Sequence, residues 1–137
     1  MITTTNLTKK YGEHTALNQL NLKVNVGEIY CLLGANGAGK TTTINLLLGF
    51  VSPTSGSAHI SQLNVHENTK ATKKFLAYIP ENLMLYPTLT AVENLDYFSG
   101  IAGKKLSTAL LKDFLEEAGL QSEAFDKRIS TFSKGMR

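Results

Sequence analysis

The stretch Gly34-Ala35-Asn36-Gly37-Ala38-Gly39-Lys40-Thr41 restricts the fold of this 137-residue chain more than any other part of it. It fits G-x-x-x-x-G-K-[ST] at all four fixed positions and comes directly after the unbroken apolar run Ile29-Tyr30-Cys31-Leu32-Leu33. A run apolar at every position predicts a central strand covered on both faces. Lys40 to Leu48 then has helical character, with Gly49 placed to cap its end. Strand, glycine-rich turn and helix, in that order, predict a loop whose backbone N–H groups converge on a chain of phosphates. Gly34, Gly37 and Gly39 are expected to give the backbone its freedom, and Lys40 to reach the β and γ oxygens. Thr41 places a hydroxyl where Mg²⁺ sits, and Ala35, Asn36, Ala38 and Thr42 complete the expected ATP-contacting set.

Composition narrows the setting of this loop. With 14 Lys+Arg against 11 Asp+Glu, 42% hydrophobic residues and one cysteine, the chain has neither a disordered tail's composition nor a disulfide scaffold's. The basic doublets Lys9-Lys10, Lys73-Lys74, Lys104-Lys105 and Lys127-Arg128 are dispersed rather than arranged in a stripe, so no nucleic-acid partner is expected. Met1 to Asn6 lacks the apolar core of a signal peptide, which points to a cytoplasmic protein. The longest apolar stretch, Ile44 to Val51, is interrupted by Asn45 and Gly49 and is too short to span a bilayer. A membrane role would therefore come through a partner. Cys31 reads as a buried small hydrophobe, and His14, His59 and His66 lack neighbours at metal-ligand spacing.

The rest of the chain divides into two parts. Leu20 to Val26 alternates apolar and polar residues, the period of a strand with one wet face. Next come a strand near Ser57–Ile60, a helix over Glu67–Lys74 and a strand at Phe75–Ile79 ended by Pro80. Thr90-Ala91-Val92-Glu93 has the capping-box pattern and starts a helix carrying Leu95 and Phe98 at the spacing of a buried stripe. A second helix begins after Ser107, with Leu110, Leu111, Phe114, Leu115 and Ala118 as its apolar stripe and Gly119 at a left-handed cap. The expected layout is an α/β part with an antiparallel β region over residues 1–88 and a helical part over 89–137.

With these landmarks in order, the sequence resembles the nucleotide-binding subunit of ABC transporters along its whole length. Tyr11, in Lys9-Lys10-Tyr11-Gly12, is similar to the family's aromatic residue that stacks on adenine. Ala77-Tyr78-Ile79-Pro80-Glu81 resembles the Q-loop, with Glu81 where the family usually has glutamine. A carboxylate has the same reach and is a harder ligand for Mg²⁺, but it cannot donate a hydrogen bond. Export-type members resemble this chain both there and over Leu85–Leu95. The stretch from Thr90 to about Lys127 matches the helical subdomain, and Tyr86, Leu89 and Phe98 stand where the family meets its membrane subunit. Phe132-Ser133-Lys134-Gly135-Met136 resembles the L-S-G-G-Q signature, with Phe, Lys and Met as its departures.

The resemblance implies a P-loop ATPase core with antiparallel β and helical subdomains. It implies ATP and Mg²⁺ as ligands, with Thr41 and Glu81 on the metal. A second ATP-binding subunit would join head-to-tail, each phosphate loop facing the other's Ser133, Lys134, Gly135 and Met136, and an integral membrane permease would hold the pair at the cytoplasmic face. The family's later landmarks, an Asp and Glu ending an apolar strand and a distant His, have no counterpart up to Arg137. The expectation is thus the N-terminal part of a longer protein, which binds ATP and turns it over slowly on its own. A soluble ABC protein without a permease, and a regulator that only binds nucleotide, are the alternatives.

Overall fold

We describe a computed structural model covering residues 1–80, 84–133 and 135–136. Its contacts divide the chain into two compact units, Met1–Tyr78 and Ile79–Arg137. The division precedes residue 88 because the segment before Thr90 is tied to residues 128–130. Ile129 donates its N–H to the Leu89 carbonyl at 2.9 Å, Ser130 to that of Pro87 at 3.0 Å, and Thr90 bridges Arg128.

The first unit is built on an antiparallel sheet in the order β2-β1-β3-β4, from β1 (Ile2–Tyr11), β2 (His14–Val24), β3 (Ser55–Ile60) and β4 (Leu63–Asn64). The predicted alternation appears in β2, where Leu20, Leu22 and Val24 are half-buried and Asn21 and Lys23 exposed. It ends two residues early, leaving Val26 in an exposed turn. β1 and β2 slip register between Thr4 and Leu7, where Asn6 takes φ 46°. Two buried threonines satisfy the backbone there. Thr4 Oγ1 donates to the Leu20 carbonyl and accepts from the Leu22 N–H, both at 2.9 Å, and Thr8 Oγ1 accepts from the Gln19 N–H at 3.0 Å.

Helix α1 (Lys40–Leu47) lays Leu46 and Leu47 against Leu7, Ala58, Ile60 and Val65, which form the core of this unit. Gly49, at φ 68°, ends α1 as expected. The helix predicted over Glu67–Lys74 is a single turn, α2 (Thr69–Thr72), continued by a 3₁₀ turn at Lys73–Phe75.

Two predicted strands do not form among the described residues. Ile29–Leu33 and Phe75–Ile79 make no strand pairing, and Ile29, Leu33 and Ile79 are 98%, 86% and 82% exposed. An all-apolar parallel strand is stable only with hydrogen-bonded neighbours and covered faces, and no described strand lies alongside these two. Cys31, expected to be buried, is exposed with its segment.

The second unit holds α3 (Ala91–Ile101) and α4 (Thr108–Glu117), with 3₁₀ turns after them at Ser122–Ala124 and Ile129–Thr131. The capping box is present, with Thr90 Oγ1 accepting from the Glu93 N–H and Glu93 accepting from the Thr90 N–H at 2.8 Å. Ser107 caps α4, and Gly119 takes φ 87° at its end. The α4 stripe is narrower than predicted. Leu111 is buried and Leu115 half-buried, whereas Leu110, Phe114 and Ala118 are exposed. Phe98, expected in the core, is also exposed, because the centre of this unit is filled instead by Val92, Leu111 and Phe125 on one side and Ala91, Ala124, Ile129 and Phe132 on the other. No described helix is long and apolar enough to cross a membrane.

Candidate functional site

The glycine-rich loop has the geometry of an anion cradle. Gly37 and Gly39 both adopt φ 86°, a region open to glycine and costly for other residues. A Cβ at Gly39 would also stand 2.6 Å from the Ala16 carbonyl oxygen of β2. Gly34 departs from the expectation. Its φ is not positive, and its lack of a side chain serves close packing instead, since a Cβ there would lie 3.0 Å from that of Ala38. The Ala38 N–H donates to the Ala35 carbonyl at 3.1 Å, closing the turn before α1.

At the start of α1 the capping residue is Gly39, which offers no side-chain acceptor, and no acidic residue occupies the first turn. The N–H groups of that turn and the positive end of the helix dipole are left for an external anion. Lys40 reaches back over the loop, its Nζ donating to the carbonyls of Gly34 at 2.6 Å and Ala35 at 2.8 Å. The ammonium is thereby held above the turn that Gly37 and Gly39 shape. Thr41 is exposed on the first turn, and Thr42 is half-buried beside it. Buried Thr43 fixes the helix start, with its N–H and Oγ1 both donating to the Gly39 carbonyl, at 2.8 and 2.9 Å.

Tyr11, 50% exposed, ends β1 opposite His14. Lys9, two residues earlier, pairs with Leu17, whose side chain lies against the position a Gly39 Cβ would take. The end of the β1–β2 hairpin and the phosphate loop are therefore neighbours, and β2 connects them.

In the second unit, Ser133 is exposed directly after buried Phe132, and the Met136 N–H donates to its carbonyl at 3.1 Å. Residues 135 and 136 form a turn. Phe132, Gly135 and Met136 border a cavity of about 400 Å³ lined by Leu95, Phe98 and Leu115. Glu81 and Lys134, named from sequence, lie outside the described residues.

One residue of consequence was missed from sequence. Asn94, 3% exposed, accepts from the Tyr86 N–H at 2.8 Å and donates to the carbonyls of Tyr86 at 3.0 Å and Thr90 at 2.9 Å. It pins the segment before α3 so that Tyr86, Tyr97 and Phe98 make an exposed aromatic cluster with centroids 4.8 to 6.1 Å apart. The signal was an amide one turn after Thr90, between apolar Val92 and Leu95. The hydrogen bond to the Tyr97 hydroxyl, at 3.2 Å, and the charge of Tyr97 push the Tyr86 phenol above its ordinary pKa.

An unpaired helix N-terminus behind left-handed glycines, with a lysine folded over the turn, defines a P-loop nucleotide-binding module. Similarity to known proteins narrows the class to a family. A family profile described as ABC transporter matches residues 17–137. The bacitracin transport ATP-binding protein of Bacillus licheniformis is 43% identical over 137 residues, covering 100% of this chain and 44% of that protein. The linearmycin resistance ATP-binding protein of Bacillus subtilis (strain 168) is 37% identical over 139 residues, with coverage of 100% and 44%. Among solved structures, the dimeric ATP-binding cassette MJ0796 bound to ADP and Pi superposes with a TM-score of 0.78 at 25% identity, over 99% of this chain and 65% of that one. The chain belongs to the ABC transporter family. It spans less than half the length of the two curated relatives.

Proposed function

We propose that this chain is the ATP-docking part of an ABC transporter subunit, which couples ATP binding and hydrolysis to export through an integral membrane permease. The observation that carries the reading is the convergence on one loop of left-handed Gly37 and Gly39, the uncapped start of α1 and the folded-back Lys40. Every group there donates or is positive, which suits a polyphosphate. On nucleotide binding, Lys40 exchanges loop carbonyls for β and γ oxygens, and the N–H groups of the loop and of the first turn of α1 that have no partner within the chain wrap the phosphates. Tyr11 offers a stacking face to adenine, which holds the base without strong selection.

The site also suits Mg²⁺. This ion keeps few protein ligands and takes its remaining ones from phosphate and water, so the exposed Thr41 hydroxyl on the first turn of α1 would serve as one ligand, with Glu81 proposed as another on the family resemblance alone. When bound, it neutralises charge on the β and γ oxygens. Ser133, Lys134, Gly135 and Met136 would meet the γ-phosphate held by a second ATP-binding subunit arranged head-to-tail. The chain works at the cytoplasmic face of the membrane, held there by the permease. The family match and the bacitracin transport relative support the transport role.

Affinity purification of the full-length subunit from detergent-solubilised membranes of its source tests that role. A multi-spanning membrane protein retained in stoichiometric amount is the expected result. Purification of the subunit with no membrane protein at any detergent condition that preserves ATP binding contradicts it, and favours an ABC protein working without a permease.

A further inference from the structure

The hairpin that carries Tyr11 also carries a cation for which the phosphate loop has no use. Lys9 and Tyr11 lie two residues apart near the end of β1. The Lys9 ammonium stands 4.9 Å from the centroid of the Tyr11 ring. It is held there by a second contact, a 2.7 Å hydrogen bond to the Ser52 carbonyl past the end of α1. That stretch is itself tied to β1, with the Thr54 N–H donating to the Thr8 carbonyl at 2.8 Å and the Lys10 N–H to Thr54 Oγ1 at 2.9 Å. The Lys9 side chain is half-buried, whereas Tyr11 is exposed at the strand end.

We propose that Lys9 is a positioning residue for the nucleotide base: anchored on Ser52, it holds one face of the Tyr11 ring and leaves the opposite face open to the purine. The inference rests on the assignment of Tyr11 as the base platform. An exposed tyrosine rotates about two torsions, and a base that stacks on it must first pay for fixing them. A cation within 6 Å of an aromatic face supplies attraction that fixes the ring in advance. The Ser52 carbonyl makes the arrangement directional, because an ammonium tethered to the backbone orients the ring instead of trailing it. The ring is thus held between a fixed cation and the incoming base, and the benefit reaches only ligands that have a base.

Calorimetry on the full-length protein, with Mg-ATP and with Mg-tripolyphosphate as a base-free probe, tests this. Lys9→Met is expected to weaken Mg-ATP binding about two- to fivefold and leave tripolyphosphate binding unchanged. Lys9→Arg, which keeps a cation over the ring, should restore Mg-ATP affinity, and Lys9→Met should have no further effect in a Tyr11→Ala background. Equal weakening of both probes by Lys9→Met overturns the proposal, because the residue then supports the loop as a whole. Unchanged Mg-ATP affinity in Lys9→Met, alongside a loss in Tyr11→Ala, overturns it while leaving Tyr11 as the platform. Unchanged Mg-ATP affinity in Tyr11→Ala removes the platform itself.

Discussion

Within one motif, similar residues do different work, and Gly39 shows it best. Its φ of 86° and its approach to the Ala16 carbonyl exclude a side chain twice, once by backbone energy and once by space. Gly39→Ala is therefore expected to cost about 1–3 kcal/mol of stability in urea unfolding, and to weaken Mg-ATP binding because the turn reopens. Gly34→Ala meets only the Ala38 methyl at 3.0 Å with no left-handed backbone, and should cost less in both measurements. The motif's spacing announced all three glycines, but it could not separate these roles. The distinction depends on the register that sets β2 behind α1, and that register appears only in the folded hairpin. The ring contact of Lys9 is not legible in the sequence for a similar reason, since the ammonium is also held by a carbonyl 43 residues away.

Elements were legible where the signal was local. The capping box at Thr90, the helix start after Ser107 and the left-handed Gly49 and Gly119 all depend on interactions within a few residues, and each is present in the fold. The two apolar strands, at Ile29–Leu33 and Phe75–Ile79, depend on partner strands that a local pattern cannot supply. The alternation of β2 stood between these cases, correct as far as the sheet continues. In the helical unit, the buried Asn94 contacts add more to the apolar core than the exposed Lys112–Asp126 ion pair, which contributes about 0–1 kcal/mol. Asn94→Ala leaves the Tyr86 N–H without its acceptor and takes one of two donors from each of the Tyr86 and Thr90 carbonyls, and should cost about 1–3 kcal/mol, more than the ~1 kcal/mol of Thr90→Ala. Thermal unfolding of the two variants beside the parent checks the order; a smaller loss in Asn94→Ala would show that the Tyr86 segment is held by other contacts.

At the scale of the molecule, the chain carries an antiparallel sheet with its glycine-rich loop and a helical unit with a turn at residues 135–136, within a family in which two curated relatives are more than twice as long. The apolar run Ile29–Leu33 leads into the loop with Ile29, Tyr30 and Leu33 exposed, so the loop geometry is sustained by α1 and β2 behind it. That local support is why the site was legible from one motif although the strand before it was not. Nucleotide binding at this loop is the claim on which the proposed function rests. The direct test is calorimetric titration of the full-length protein and its Lys40→Ala variant with Mg-ATP. The loop geometry predicts binding by the parent and a loss of about 10- to 150-fold in the variant, the worth of one charge-assisted contact. Equal affinity in the two would contradict it.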